Sequence, residues 1–124
     1  MLDKEAILKN TALATEAVNI PEWGGYVTVR EMAGTEKDSY ESACSDRGAG
    51  GEYVNIRAKL VVRSLINGEG KRIFDDGDAG RVGQLSGRIL DRLCDVAQRL
   101  SGIGAKEAAA VGKDLNGTPP ESST

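Results

Sequence analysis

The chain has 124 residues, 40% hydrophobic and 28% charged, with 16 Gly, 3 Pro, 2 Cys and no His, and a net charge of −3. That length suits one domain. The missing His excludes imidazole acid–base chemistry, Ser-His-Asp and Cys-His nucleophiles, and imidazole metal sites, and the slight acidic excess argues against a dedicated nucleic-acid binder.

Charge is uneven along the chain. Residues 1–56 carry a net −5, residues 57–99 a net +3 and residues 100–124 a net −1. No stretch approaches the ~18 apolar residues of a membrane span. The start, Met1-Leu2-Asp3-Lys4-Glu5, lacks the apolar run of a signal peptide, so a cytoplasmic location is expected. Cys44 and Cys94 are far apart and form no CxxC, which reads as two buried free thiols.

Residues 3–10 read as a short helix capped by Asp3. Thr15 to Ile20 alternates, with Val18 and Ile20 on one side. Tyr26 to Met32 alternates again, with Val27 and Val29 opposite Tyr26, Thr28 and Arg30. The Pro21-Glu22-Trp23-Gly24-Gly25 segment between them makes this a β-hairpin over about 15–32. A lone hairpin is marginal in water, so it must pack on helices or extend another sheet.

Thr35 is expected to cap a helix from Glu36 to Ser45, with Asp38 completing a partial capping box. The Gly-rich segment 46–51 reads as a mobile loop. Val54 to Ile66 has the broadest apolar arc, which predicts a central helix; Asn55, Lys59 and Arg63 form its narrow polar stripe. Lys71 to Phe74 reads as extended, and Asp75 or Asp76 caps a further helical turn or two up to about Leu85. Ser86 caps a long helix, 87–101, whose apolar face is Ile89, Leu90, Leu93, Cys94, Val96, Ala97 and Leu100. Arg88, Arg92 and Arg99 face outward, with Asp95 and Arg99 spaced for an i, i+4 pair. Gly102 is a helix stop. Lys106 to Val111 suits another short helical piece, and 113–124 reads as a disordered polar tail. The fold class is therefore α+β: a mostly helical single domain over 1–112, with an N-terminal β-hairpin packed on the helices.

No motif carries chemistry. Gly48, Gly50 and Gly51 do not complete GxGxxG, because Tyr53 stands where the third Gly is needed. Asp75-Asp76-Gly77-Asp78 begins like a calcium loop, but the twelfth residue is Ser86 or Gly87 rather than a bidentate Glu. No catalytic residue, cofactor site or metal site is assigned. Trp23 reads equally as a loop anchor or as an interface residue.

The motifs that remain are P-E-W-G-G followed by V-x-V-R within VNIPEWGGYVTVREMAGTEKDSYES, a G-x-E-K-D helix start, IRAKLVVRSLINGEGKRIF, and ILDRLCDVAQRLSGIG. In this order and spacing, over roughly residues 1–104, the chain resembles the tail assembly chaperones of long-tailed, siphovirus-type bacteriophages and prophages. It departs from that pattern in the insert at 46–51 and in Gly77, Gly80, Gly83 and Gly87, where Ala- and Lys-rich helix is expected. Both Gly-rich stretches, 46–51 and 77–87, are therefore expected to be mobile.

The resemblance implies a non-enzymatic protein of the bacterial host cytoplasm, absent from the mature virion. It implies binding to the tape measure protein, recruitment of tail tube subunits and self-association. It also implies a longer product made by translational frameshift near the end of the gene. Partner-contact candidates are Trp23, Tyr26 and Arg30 on the hairpin, whose edge could also accept a neighbour's strand. Arg63, Arg88, Arg92 and Arg99 are candidates on outward helix faces. The competing reading is a small helical DNA-associated regulator using the basic 57–99 region. It is disfavoured because no clean helix-turn-helix spacing occurs there.

Overall fold

The computed structural model describes residues 1–45 and 54–103. The expectations for 46–51 and for everything beyond Ile103, the helical piece at 106–111 and the tail at 113–124 included, lie outside the described residues.

Helix α1 (Lys4–Leu8) is capped by Asp3, whose Oδ1 accepts from the Ala6 N–H at 2.9 Å. It buries no residue. Strands β1 (Thr15–Ile20) and β2 (Gly25–Arg30) form the expected hairpin, with Thr15 opposite Arg30 and Ile20 opposite Gly25. Its loop is one turn of 3-10 helix, Pro21–Trp23, closed by Gly24 at φ +78°. Gly25 thus belongs to the strand, and Gly24 alone takes the left-handed conformation that the turn requires.

Helix α2 spans Gly34–Ala43, two residues earlier than expected. Thr35 is not its cap. Ala33 holds that position, and it is the Glu36 carboxylate that reaches back to the Ala33 N–H at 2.8 Å. Helix α3 (Ile56–Ser64) is the central element, with Ala58, Leu60, Val61 and Val62 buried. It ends two residues before the periodicity does. Leu65 and Ile66 turn extended as β3 and pair with Val29 and Thr28, making an antiparallel sheet in the order β1-β2-β3. Apolar residues in this segment are buried in either conformation, so the helical pattern overran its boundary.

The segment 77–87 is not the loose stretch expected of it. After a 3-10 turn at Asp76–Asp78, helix α4 (Ala79–Val82) packs on α3 and buries Ala79 and Val82. Asp75 accepts the cap position, and the Asp78 carboxylate takes the Asp75 N–H at 3.0 Å. Helix α5 (Gly87–Leu100) begins at the Ser86 hydroxyl, which accepts from the Ile89 N–H at 3.4 Å. It ends in a Schellman closure: Gly102, at φ +71°, donates to Arg99 O, and Ile103 donates to Gln98 O at 2.9 Å.

One core unites these parts. The inner sheet face (Val18, Ile20, Val29, Leu65) packs with Leu60 and Val62 of α3 and with Ile89, Leu90, Leu93 and Ala97 of α5. The architecture is α+β, as the sequence patterns imply.

Candidate functional site

The candidate residues divide into those the fold uses internally and those it leaves facing solvent. Arg63, expected on an outward stripe, is only 4% exposed. Its guanidinium donates to Lys59 O at 2.7 Å and to Ser39 Oγ, and it lies 3.2 Å from the Asp76 carboxylate. Arg72 reaches the same Asp76 at 2.7 Å, and these two arginines, Arg72 foremost, hold the Asp76 carboxyl below the usual range. Arg63 is thus a buried staple between α2, α3 and the turn before α4. Its i, i+4 spacing from Lys59 did not reveal this, because the covering elements are distant in sequence.

Arg30 is internal as well. It grips both Glu36 oxygens at 2.8 and 2.6 Å, with the pair one-fifth exposed or less. This pins the end of β2 to the first turn of α2. Arg99 pairs not with Asp95 but with Glu16 on β1, at 2.9 Å. The sheet brings a carboxylate closer than the helix's own face does. Arg92 forks onto Glu22 of the hairpin loop at 3.0 and 2.8 Å. That hydrogen bonding lowers the Glu22 pKa to about 2. Arg88 is exposed.

The surface that remains lies on the hairpin. Trp23 at the loop is 43% exposed and Tyr26 on β2 is 70% exposed. Tyr26 forms one wall of a shallow groove of about 210 Å³, with Thr28, Ile66, Gly68 and Ile73 as further lining. Ile73 is 48% exposed and was not singled out from sequence. The extended reading of Lys71–Phe74 held the only signal, since a short strand end beside a sheet must leave one apolar side chain outside. Leu2, Ile7 and Leu8 on and before α1 are also exposed and were missed. The signal there was an apolar set on a helix too short to be held by a core.

A second hollow of about 340 Å³ lies between α3 and α5, lined by Tyr40, Ile56, Leu60, Cys94 and Gln98, with the Arg57–Asp91 ion pair at its rim. Burial pushes the Cys94 thiol up to about 12 and raises the Tyr40 phenol and the Cys44 thiol, so all three are neutral at pH 7. Both cysteines are buried and free, as expected. A neutral thiol is a poor nucleophile and a poor metal ligand. Among the described residues, no group of three His, Cys, Asp or Glu side chains is placed to hold a metal ion, and no helix is long and apolar enough to cross a membrane. The geometry can bind a partner through exposed aromatic and aliphatic groups.

The comparisons with known proteins agree with the resemblance. No curated protein sequence matches the chain. Among solved structures, the fold is similar to that of the bacteriophage HK97 tail assembly chaperone, with a TM-score of 0.58 and 20% sequence identity over 76% of this chain and 96% of that one. The family model for phage tail assembly chaperones matches residues 2–112, and the chain belongs to that family.

Proposed function

We propose that this chain is a non-enzymatic escort that binds the tape measure protein of its phage or prophage, keeps that protein's long helices soluble and helps recruit tail tube subunits. It acts in the cytoplasm of the bacterial host and leaves before the virion matures. Copies of the chain associate with one another during this work, and a longer frameshifted product accompanies it.

The observation that carries this reading is the family match over residues 2–112, on a fold whose exposed aromatic groups, Trp23 and Tyr26, sit together on one hairpin. Aromatic side chains of this kind dominate binding energy at protein interfaces. The DNA-regulator reading loses support from the same structure. Arg57, Arg63, Arg72, Arg92 and Arg99 of the basic 57–99 region are each engaged by a carboxylate, which consumes most of the charge that would meet phosphate.

Co-expression with the tape measure protein encoded nearby tests the proposal. Its soluble yield should rise; an unchanged yield would count against the role. A slippery heptamer in codons 105–124 leading into an open downstream frame is expected for the longer product.

A further inference from the structure

Lys71, Arg81 and Arg88 are what the fold leaves over from the basic 57–99 region. All are exposed, and among the described residues none meets a carboxylate. Lys59, by contrast, donates to Ala43 O at 2.8 Å. Arg88 stands in the first turn of α5, where the helix dipole disfavours a cation, and no acidic residue accompanies it there. Local stability does not account for that charge.

Arg81 lines an apolar hollow of about 290 Å³ together with Phe74, Asp78, Val82 and Leu85. Val82 is buried, Phe74 is half-buried and Leu85 is 41% exposed. The hollow thus has an apolar floor and an open mouth. The Asp78 carboxylate takes the Asp75 N–H at 3.0 Å and makes no ion pair with Arg81. Arg88 follows Leu85 by three residues, and its charge also acts on Glu22 of the hairpin loop. It therefore joins the hollow to the loop that carries Trp23.

We propose that this hollow anchors an amphipathic client helix through one aliphatic or aromatic side chain, with client carboxylates one turn away meeting Arg81 and Arg88. The charge of the rim selects the flanking groups, because complementary potentials steer encounter and fix register. The lining selects a helix. It offers side chains and no strand edge, and a helix satisfies its own backbone while presenting anchors at i, i+3 and i+4. The identity of the client as the tape measure protein rests on the escort reading above. What is added is the site and the chemistry of the segment it takes: acid-flanked apolar turns rather than apolar helix in general.

The test uses the full chain and two fluorescein-labelled 18-residue Ala-based peptides with a central Leu. One carries Glu three and four residues to either side; the other carries Lys there. By anisotropy, the Glu peptide should bind at least roughly tenfold tighter at low salt, and the advantage should shrink as salt rises. Arg81→Glu with Arg88→Glu should reverse the preference, and Leu85→Asp should weaken both peptides. Arg88→Glu alone should keep the wild-type urea midpoint, since an acid suits the start of α5, so lost binding there is not lost folding. Equal binding of the two peptides, no binding of the Glu peptide up to about 1 mM, or a preference that survives both reversals would overturn the site. Co-expression separates this from the escort role. Wild type that raises tape measure solubility as well as the double reversal does would leave the escort and remove the site. A peptide preference without any rise in solubility would keep the site and remove the escort.

Discussion

Arg92 holds both carboxylate oxygens of Glu22, at 3.0 and 2.8 Å, and through them fastens the hairpin loop to the middle of α5. The residues are 70 positions apart. The loop next to Trp23 is thus set by a helix formed late in the chain. Both side chains are 38% exposed, so solvent and salt screen the pair, and it acts as a local clip more than as a source of global stability.

The clip should respond to acid. The Glu22 pKa is lowered from 4.5 to about 2 by Arg92. A depressed carboxylate pKa stabilises the folded form above the unfolded value, and that contribution is lost as pH falls through the folded value. Trp23 fluorescence, from the only Trp, should therefore be constant above about pH 5 and change as pH drops toward 2. In Glu22→Gln the change attributable to the clip should be absent. An identical acid transition in the variant would show that the loop is not held by this pair.

Arg63 makes a larger demand on stability. Replacing it with Ala removes the guanidinium donors from Ser39 Oγ and Lys59 O and leaves Asp76, itself half exposed, to Arg72 and Ser39 alone. Unpairing a buried charge network costs about 2–3 kcal/mol after allowance for that exposure. Urea denaturation should show the loss as a lower midpoint at unchanged slope. Arg63→Lys should recover part of it, since Lys keeps the charge but not the fork. Wild-type stability in R63A would return Arg63 to the set of free surface residues.

Local signals made much of this fold legible. Asp3, Ser86 and Gly102 mark helix ends through chemistry confined to neighbouring residues, and each does what its position implies. Alternation gave the hairpin and its inward face. The failures share a cause. Arg63, Arg30, Arg92 and Arg99 lie on faces that read as outward in sequence, yet each is claimed by a carboxylate or hydroxyl that only the tertiary fold supplies. Helix periodicity across Leu65 and Ile66 concealed a strand because both conformations bury those side chains. For the candidate surface, an exposed Trp and Tyr beside a Pro-Gly loop were visible in sequence, but Ile73 joined them only through the bridge between Ile66 and Arg72.

Gly83 shows how a residue that suggested looseness serves packing. A Cβ built there would overlap Asn55 Oδ1 and stand 3.2 Å from Ala79 O. Asn55 is itself at φ 54°, just before α3. The bare Gly83 backbone lets the end of α4 close against the start of α3. Gly83→Ala should destabilise the chain by about 1–3 kcal/mol, the usual cost of overpacking. Gly80→Ala, with nothing within 4 Å of its Cβ, should be neutral or slightly stabilising by helix propensity. Amide exchange should report the same packing, with Val82 and Gly83 protected rather than open. Fast exchange at both would restore the mobile reading of 77–87.

The exposed hairpin surface makes the sharpest functional prediction. Tyr26 is 70% exposed, so Tyr26→Ala should change stability by no more than about 0.5 kcal/mol. Trp23→Ala should cost somewhat more, because part of the indole is covered. If these side chains contact the tape measure protein, truncation should remove 2 kcal/mol or more of binding, as interface aromatics commonly do. The double variant should therefore fold, yet lose most of the gain in soluble tape measure protein on co-expression. Arg30→Ala is the contrasting control. It breaks the Glu36 fork within the fold, so its effect should appear in the denaturation midpoint and follow stability in the co-expression assay. A double variant that folds and rescues the tape measure as well as wild type would move the contact elsewhere, with the exposed Leu2, Ile7 and Leu8 around α1 as the next surface to truncate.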